Sequence, residues 1–277
     1  METTRRNVIA MGAALPTIMS SISARAQAMP AANVAALWRA LFTGPSDTLA
    51  CWWSSGTLYA HVDRLREFPV AGVRSIMLLR SVAQGDGIVA DTRTIGFFTD
   101  LDTGKPTARW HNIFTDRVQD LPPVFVEGPG RYGMTPGAGG PVLTLTAANM
   151  RTNRILATGE ASGDRLILTQ IEGTLQGFPG LDGTLPPLGS AAMTERQTRW
   201  QIIARRDALA GTSTRGFFSH VYDALPPWLG FGDALGSGLS KGQMVRAGAA
   251  DRIDAQAWAY LKSHVPDAFH GDRLALR

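Results

Sequence analysis

Apolar, threonine and aromatic residues fall in short runs over much of the chain: Thr48 to Val62, Val70 to Val82 and Ile88 to Phe98. Ser54-Ser55-Gly56, Gly85-Asp86-Gly87 and Asp102-Thr103-Gly104 punctuate them. Runs of this kind bounded by turn formers predict strands, and Gly-Asp-Gly between two of them predicts a hairpin. The Asp-x-x-x-Gly-Lys beginning at Asp100 predicts a second tight connection. A second series follows in Val142 to Thr146, Asn153 to Glu160, Arg165 to Leu175 and Thr198 to Arg205, with a turn at Gly159 to Gly163. Gly128 to Pro141, Phe178 to Pro187 and Leu225 to Gly238 read as loops from their glycine and proline content.

Helical spacing occurs near the two ends. Ala31 to Phe42 places Leu37, Trp38 and Leu41 on one side and stops at Gly44-Pro45; Asp254 to His264 places Trp258 and Leu261 on one face. No strand is followed by the long helix that a parallel sheet requires. The pattern therefore predicts a mainly β, antiparallel fold: a lipocalin-like barrel or strongly curved sheet with short terminal helices, forming one domain over residues 29–277.

Residues 1–28 have a different character. Thr4-Arg5-Arg6-Asn7-Val8-Ile9 resembles the twin-arginine export signature, an apolar run extends from Val8 to Ile18, and Ala24-Arg25-Ala26-Gln27-Ala28 offers an A-x-A cleavage site after Ala28. Gly12 and Pro16 interrupt a run already too short to span a bilayer. The expectation is a protein handled folded by the twin-arginine machinery and working in the periplasm, with no stable membrane insertion of the mature chain.

Charge and cysteine narrow the function. The formal net charge is +4, of which Arg5, Arg6 and Arg25 against Glu2 supply about half, and the remaining basic residues are scattered. That argues against a nucleic-acid partner. Cys51 is the single cysteine, so no internal disulfide forms, and within an apolar strand it reads as inert core. Neither a C-x-x-C-H haem site nor a cysteine set for an iron–sulfur cluster is present. There is no P-loop and no Gly-x-Ser-x-Gly elbow, and the histidines lack close metal-ligand spacing. The expectation is no metal and no cofactor.

Several segments together resemble a known family. They are Trp53-Ser54-Ser55-Gly56-Thr57-Leu58-Tyr59, Thr94-Ile95-Gly96-Phe97-Phe98-Thr99-Asp100 with Thr103-Gly104, and Trp110-His111-Asn112 with Thr115. This is similar to an exported bacterial family defined as a domain of unknown function, number eighteen thirty-eight. Its members often carry twin-arginine signals and show Trp-x-x-Gly-x-x-Tyr, a Gly-Tyr-Tyr-x-Asp-x-x-Thr-Gly hairpin and a Trp-x-Asn-Pro-x-Thr-Gly turn. Phe218-Ser219-His220-x-Tyr222 and Pro227-Trp228-Leu229 are similar to its carboxy-terminal part. The chain departs from the pattern at Phe97-Phe98 in place of tyrosines, at Ile113-Phe114 after Asn112, and at Asp116 in place of the turn glycine. The resemblance implies export and implies no reaction.

The residues that carry chemistry follow from type and alternation. Trp53, Ser55, Thr57, Tyr59 and His61 share one face of a strand, a mixture suited to lining a ligand cavity as well as to packing. Trp53, Tyr59, Trp110, Trp200, Tyr222 and Trp228 form an aromatic set that fills a core or stacks an apolar ligand. His61, His111 and His220 are the candidate bases. Arg74, Arg80, Arg93, Arg199 and Arg205 lie in strands, where an arginine pointing into a barrel would require a carboxylate or an anionic ligand; Glu127, Glu160 and Glu172 are the strand-borne carboxylates.

These features lead to an exported, cofactor-independent lyase or isomerase acting on a small aromatic or apolar molecule. Its catalytic set is His61 or His111 as base, Tyr59 or Tyr222 as acid and Arg80 or Arg199 against developing negative charge. Trp53, Trp110, Asn112, Arg199, His220, Tyr222 and Trp228 would contact the substrate. The alternatives are a non-catalytic carrier of a hydrophobic ligand and, on the export route alone, a metal-dependent oxidoreductase.

Overall fold

The computed structural model describes residues 27–44, 49–62, 67–135, 137, 141–190, 192–206, 214–247, 254–270 and 273–274. The twin-arginine motif and most of the expected signal lie outside the described residues.

A short strand β1 (Gln27–Ala28) leads into helix α1 (Ala31–Trp38), which continues as a wider π-helical turn over Arg39–Thr43 and stops at Gly44, φ 76°. Then come β2 (Leu49–Val62), β3 (Phe68–Gln84), β4 (Gly87–Thr99), a projecting hairpin of β5 (Arg109–Asn112) and β6 (Arg117–Asp120), and β7 (Phe125–Thr135). The sheet continues through β8 (Val142–Ala147), β9 (Met150–Ser162), β10 (Arg165–Gly177), β11 (Met193–Arg205), β12 (Arg215–Tyr222) and β13 (Gly236–Ala247). Helix α2 (Ala255–His264) and a small hairpin of β14 (Phe269–His270) and β15 (Arg273–Leu274) follow. Asp254 caps α2 by accepting from the backbone N–H groups of Gln256 and Ala257.

Ten of these strands close an antiparallel barrel in which chain neighbours are sheet neighbours, and β13 returns to pair with β2 along Gly236↔Val62 to Ala247↔Cys51. Its narrowest seam is β8–β9, joined through Ala147↔Met150. At the far end of β9, β1 takes the free edge through Gln27↔Ala161 and Ala28↔Glu160.

Alternation decides what points inward. Even residues of β2, β4, β10, β11, β12 and β13 face the lumen, as do odd residues of β3 and β8. In β7 the parity changes midway. Thr94 pairs with Glu127 but Thr92 pairs with Gly130, so Gly128 and Pro129 oppose a single residue of β4. This β-bulge puts both Glu127 and Tyr132 inside although one number is odd and the other even. It also corrects the expectation of a loop from Gly128: proline has no ladder N–H to lose at a bulge, and Gly128 takes φ 100° there. The strands β12 and β13 go beyond the sequence reading as well. The latter contains Gly236, Gly238 and Gly242, and Gly242 packs so tightly that a Cβ would lie 2.4 Å from the Cα of Gly56.

Three apolar clusters hold the barrel, two meeting inside it and one outside. Helix α1 and its π-turn plug one end of the lumen, where Trp38, Leu41 and Phe42 are fully buried against Trp52, Leu79, Tyr132, Leu168 and Ile202. Arg246 fastens this plug by donating from Nη1 to the carbonyl oxygens of Ala40 (2.8 Å) and Leu41 (3.4 Å). Outside the barrel, α2 covers β2–β4, packing Ala257, Leu261 and Trp258 on Cys51, Trp53, Ile76, Leu78, Ile95 and Phe97. Burial pushes the Cys51 thiol up to about 12, consistent with an inert core cysteine. No helix among the described residues is long and apolar enough to cross a membrane.

Trp38→Ala removes a fully buried indole from the plug and is expected to cost about 3–5 kcal/mol. Denaturant unfolding measures it, and a loss below about 1 kcal/mol would mean that the plug does not support the barrel.

Candidate functional site

A cavity of about 110 Å³ occupies the lumen where two clusters meet. Trp52, Met77, Tyr132, Trp200, Phe218 and Met244 line it from the plug side, and Leu58, Val73, Phe98, Phe125 and Trp228 from the other. An apolar cavity of about 150 Å³ accepts benzene, so this one limits an occupant to about a single small ring.

Its polar wall comes from neighbouring strands in register. Gln170, Glu172 and Thr174 of β10 face Trp200, Thr198 and Arg196 of β11, which in turn face Phe218, His220 and Tyr222 of β12. Glu172 is 2 % exposed. Its Oε1 accepts from Tyr132 Oη (2.7 Å), Gln170 Nε2 (2.5 Å) and Trp200 Nε1 (3.1 Å). Gln170 in turn accepts at Oε1 from Trp38 Nε1 of the plug (2.5 Å). Arg196, 5 % exposed, donates from Nη1 to Glu127 Oε1. His220 shares a 2.9 Å hydrogen bond between Nδ1 and Thr198 Oγ1, and its ring packs on Trp200 and Phe218.

Burial dominates the proton affinities. It raises the Glu172 carboxyl above its ordinary value, against the pull of the three donors and Arg196. Burial raises the phenols of Tyr132 and Tyr222 as well; Glu172 adds to the first shift and Arg196 opposes the second. For Arg196, burial is the largest influence and pulls downward, but Glu127, Tyr222 and Glu172 together outweigh it, so the guanidinium stays charged. Burial and then Arg196 hold the His220 imidazole well below its usual range. At neutral pH the lumen therefore carries a charged arginine, a neutral imidazole and two intact phenols.

Of the residues singled out from sequence, the structure brings Trp200, His220, Tyr222 and Trp228 together on this cavity. The β2 face carrying Trp53, Tyr59 and His61 is the outer one, which corrects the cavity-lining expectation. Trp53 lies under α2, Tyr59 lies 4.4 Å beneath the Lys241 ammonium, and His61 is exposed. That face is rich in aromatic residues because a helix and a lysine cover it. Arg80 and Arg199 are exposed on outward positions of β3 and β11, so neither reaches the lumen.

The Trp110–Asn112 segment shapes the cap. Asn112 is fully buried; its Oδ1 accepts from the N–H groups of Phe114 (3.0 Å) and Thr115 (3.2 Å), and its Nδ2 donates to the Leu229 carbonyl (3.0 Å). That anchors the single-turn helix Pro227–Leu229 which carries Trp228. Asp116 sits at φ 51°, the left-handed region in which Asp is better tolerated than most residues, so it can stand where a turn glycine would. His111 is exposed and pairs with Asp116 (2.9 Å), and Trp110 packs on Phe231.

The sequence reading missed Arg196, because the predicted strand began at Thr198; the inward alternation of Trp200 and Thr198, carried two residues back, reaches it. Of the strand-borne carboxylates Glu127, Glu160 and Glu172, the apolar run around Glu172 points to that one as the partner of an inward arginine. In the structure Glu127 pairs directly with Arg196, and Glu172 accepts from Tyr132, Gln170 and Trp200. Among the described residues no group of three or more His, Cys, Asp and Glu side chains is placed to hold a metal ion. No protein-family model matches the chain. No curated protein matches it significantly either.

The depressed His220 fixes a pH dependence. Below about 6.5, its ordinary value, the unfolded chain takes up a proton that the folded protein refuses, so stability present above that pH is lost as pH falls. Relative to His220→Gln, the wild type is expected to lose up to about 1.4 kcal/mol per pH unit on acidification. Urea unfolding across pH 7.5 to 5 measures the difference, and parallel curves would contradict the assignment.

Proposed function

We propose that the barrel lumen binds a small aromatic or apolar molecule and moves a proton on it, as a cofactor-independent lyase or isomerase. The observation that carries this reading is the convergence of His220, Tyr222 and Arg196 on one cavity of single-ring size. The neutral imidazole of His220 takes a proton from carbon beside a carbonyl group, and the resulting enolate oxygen lies against Arg196. Tyr222, its phenol intact, returns a proton to the product or leaving group. Arg196 then interacts more strongly with the transition state than with the neutral substrate, which is the requirement for acceleration. This scheme moves the base from His61 or His111 to His220, since the first two are exposed on the outside.

One observation favours a non-catalytic carrier instead. An imidazole held this far below its usual range by burial and by Arg196 is a weak base. The same walls would then hold an apolar ligand without turnover.

The periplasm is the proposed location, on the twin-arginine-like motif at Arg5-Arg6. Cleavage after Ala28 would remove β1, whose two residues are exposed, and leave α1 in the lumen.

Acetophenone separates the two readings. In D₂O, proton transfer by His220 is expected to incorporate deuterium at the methyl carbon faster than buffer alone, followed by NMR. The rate should fall about 100-fold or more in His220→Gln and be unchanged in His61→Ala. Binding without exchange would establish the carrier, and neither binding nor exchange of ring compounds would overturn the lumen reading.

A further inference from the structure

Three buried polar atoms without a partner belong to side chains on the cavity wall: Nε of Arg196, Nε1 of Trp228 and Oε1 of Gln176. Two are donors and one is an acceptor. Buried polar groups are nearly always hydrogen-bonded in folded proteins, so three such atoms on one cavity call for an occupant. They also cluster towards one end of the barrel. Arg196 pairs with Thr174 and Gln176 with Thr194, which makes Arg196 and Gln176 diagonal neighbours on the inner face. Trp228 belongs to the cap that, with Pro179 and Pro226, lines the cavity at that end. The plug side offers the aromatic walls of Trp52, Trp200 and Phe218.

The charge around these atoms sets the charge of the occupant. Arg196 is the only lysine or arginine among the described lining residues, and its Nη1 is already given to Glu127. Glu172 adds a second carboxyl to the same wall, and His220 is neutral. An anionic ligand would bring a further negative charge to a wall whose one guanidinium already faces the Glu127 carboxylate, in a medium where repulsion is poorly screened. A neutral acceptor takes the Arg196 Nε–H in a charge-assisted hydrogen bond without that repulsion.

We infer that the cavity selects a neutral single-ring molecule whose polar end offers an acceptor to Arg196 and Trp228 and a donor to Gln176, such as an amide or a hydroxy-carbonyl compound, over the corresponding carboxylate. The inference rests on the lumen being the binding site. It also fits the proton-transfer scheme, because a substrate neutral on entry gains its negative charge beside Arg196 only as the proton leaves.

Benzamide, benzoate and toluene share a ring and differ in the polar end, so calorimetric titration of all three at pH 7 tests the inference. Benzamide is expected to bind at least about 10-fold more tightly than either of the others. Trp228→Phe and Gln176→Leu should each weaken benzamide about 5- to 10-fold and leave toluene unchanged; where one variant does not fold, the other and the wild-type series decide. Benzoate binding as tightly as benzamide would overturn the choice of a neutral ligand while leaving the lumen site standing. Toluene binding as tightly as benzamide would show that the three atoms recognise nothing. Failure of all three to bind would overturn the lumen reading together with the inference.

Discussion

A carboxyl group buried near the middle of the barrel is the constraint around which the structure is arranged. Glu172 is almost wholly removed from water, and an unpartnered buried carboxyl would cost several kcal/mol. The fold answers with three donors to the carboxyl and a fourth behind them. Tyr132 arrives from β7, Gln170 from β10 itself, Trp200 from β11, and Trp38 reaches Gln170 from the terminal helix. The hydrogen bonds thus connect the plug to the cavity, so packing at one end of the lumen and polar geometry at its centre depend on each other. The Arg196–Glu127 pair lies beside this network and gives the cavity wall its one arginine among the described lining residues.

Function and fold are consequently joined through backbone geometry. The bulge at Gly128 and Pro129 changes which residues of β7 face inward, and without it Glu127 and Tyr132 would point to opposite sides. Arg196 would then lose its carboxylate, or Glu172 its phenol. Buried ion pairs are weak evidence of stability because desolvation offsets most of the attraction. Their presence on a cavity wall, with neighbouring polar atoms left without partners, is instead what a recognition site requires.

Much of the barrel was legible in the sequence because its strands are long and bounded by strong turn signals. Gly85-Asp86-Gly87 makes the β3–β4 turn, and Trp38 and Leu41 mark the buried side of the amino-terminal helix. The site was less legible for three physical reasons. Alternation tells which residues share a face but not which face is inside. The Trp53 face looked like a cavity wall because α2 covers it. Proline and glycine at Gly128–Gly130 signal a loop or a bulge with equal force, and only the pairing with β4 distinguishes them. Arg196 lay just before the apolar part of its strand, so its inward position depended on a boundary that periodicity places poorly. His220 and Tyr222 were recognised from their motif, whereas their shared wall with Arg196 arises from the β11–β12 register.

The central claim is that recognition takes place inside the barrel. Its most direct measurement is fluorine NMR of protein labelled with 5-fluorotryptophan during titration with benzamide. The resonances of Trp52, Trp200 and Trp228, which line the lumen, are expected to shift and saturate together, while those of Trp53 and Trp258, which pack outside it, stay in place. Saturating shifts at Trp53 and Trp258 with a silent lumen would contradict the claim.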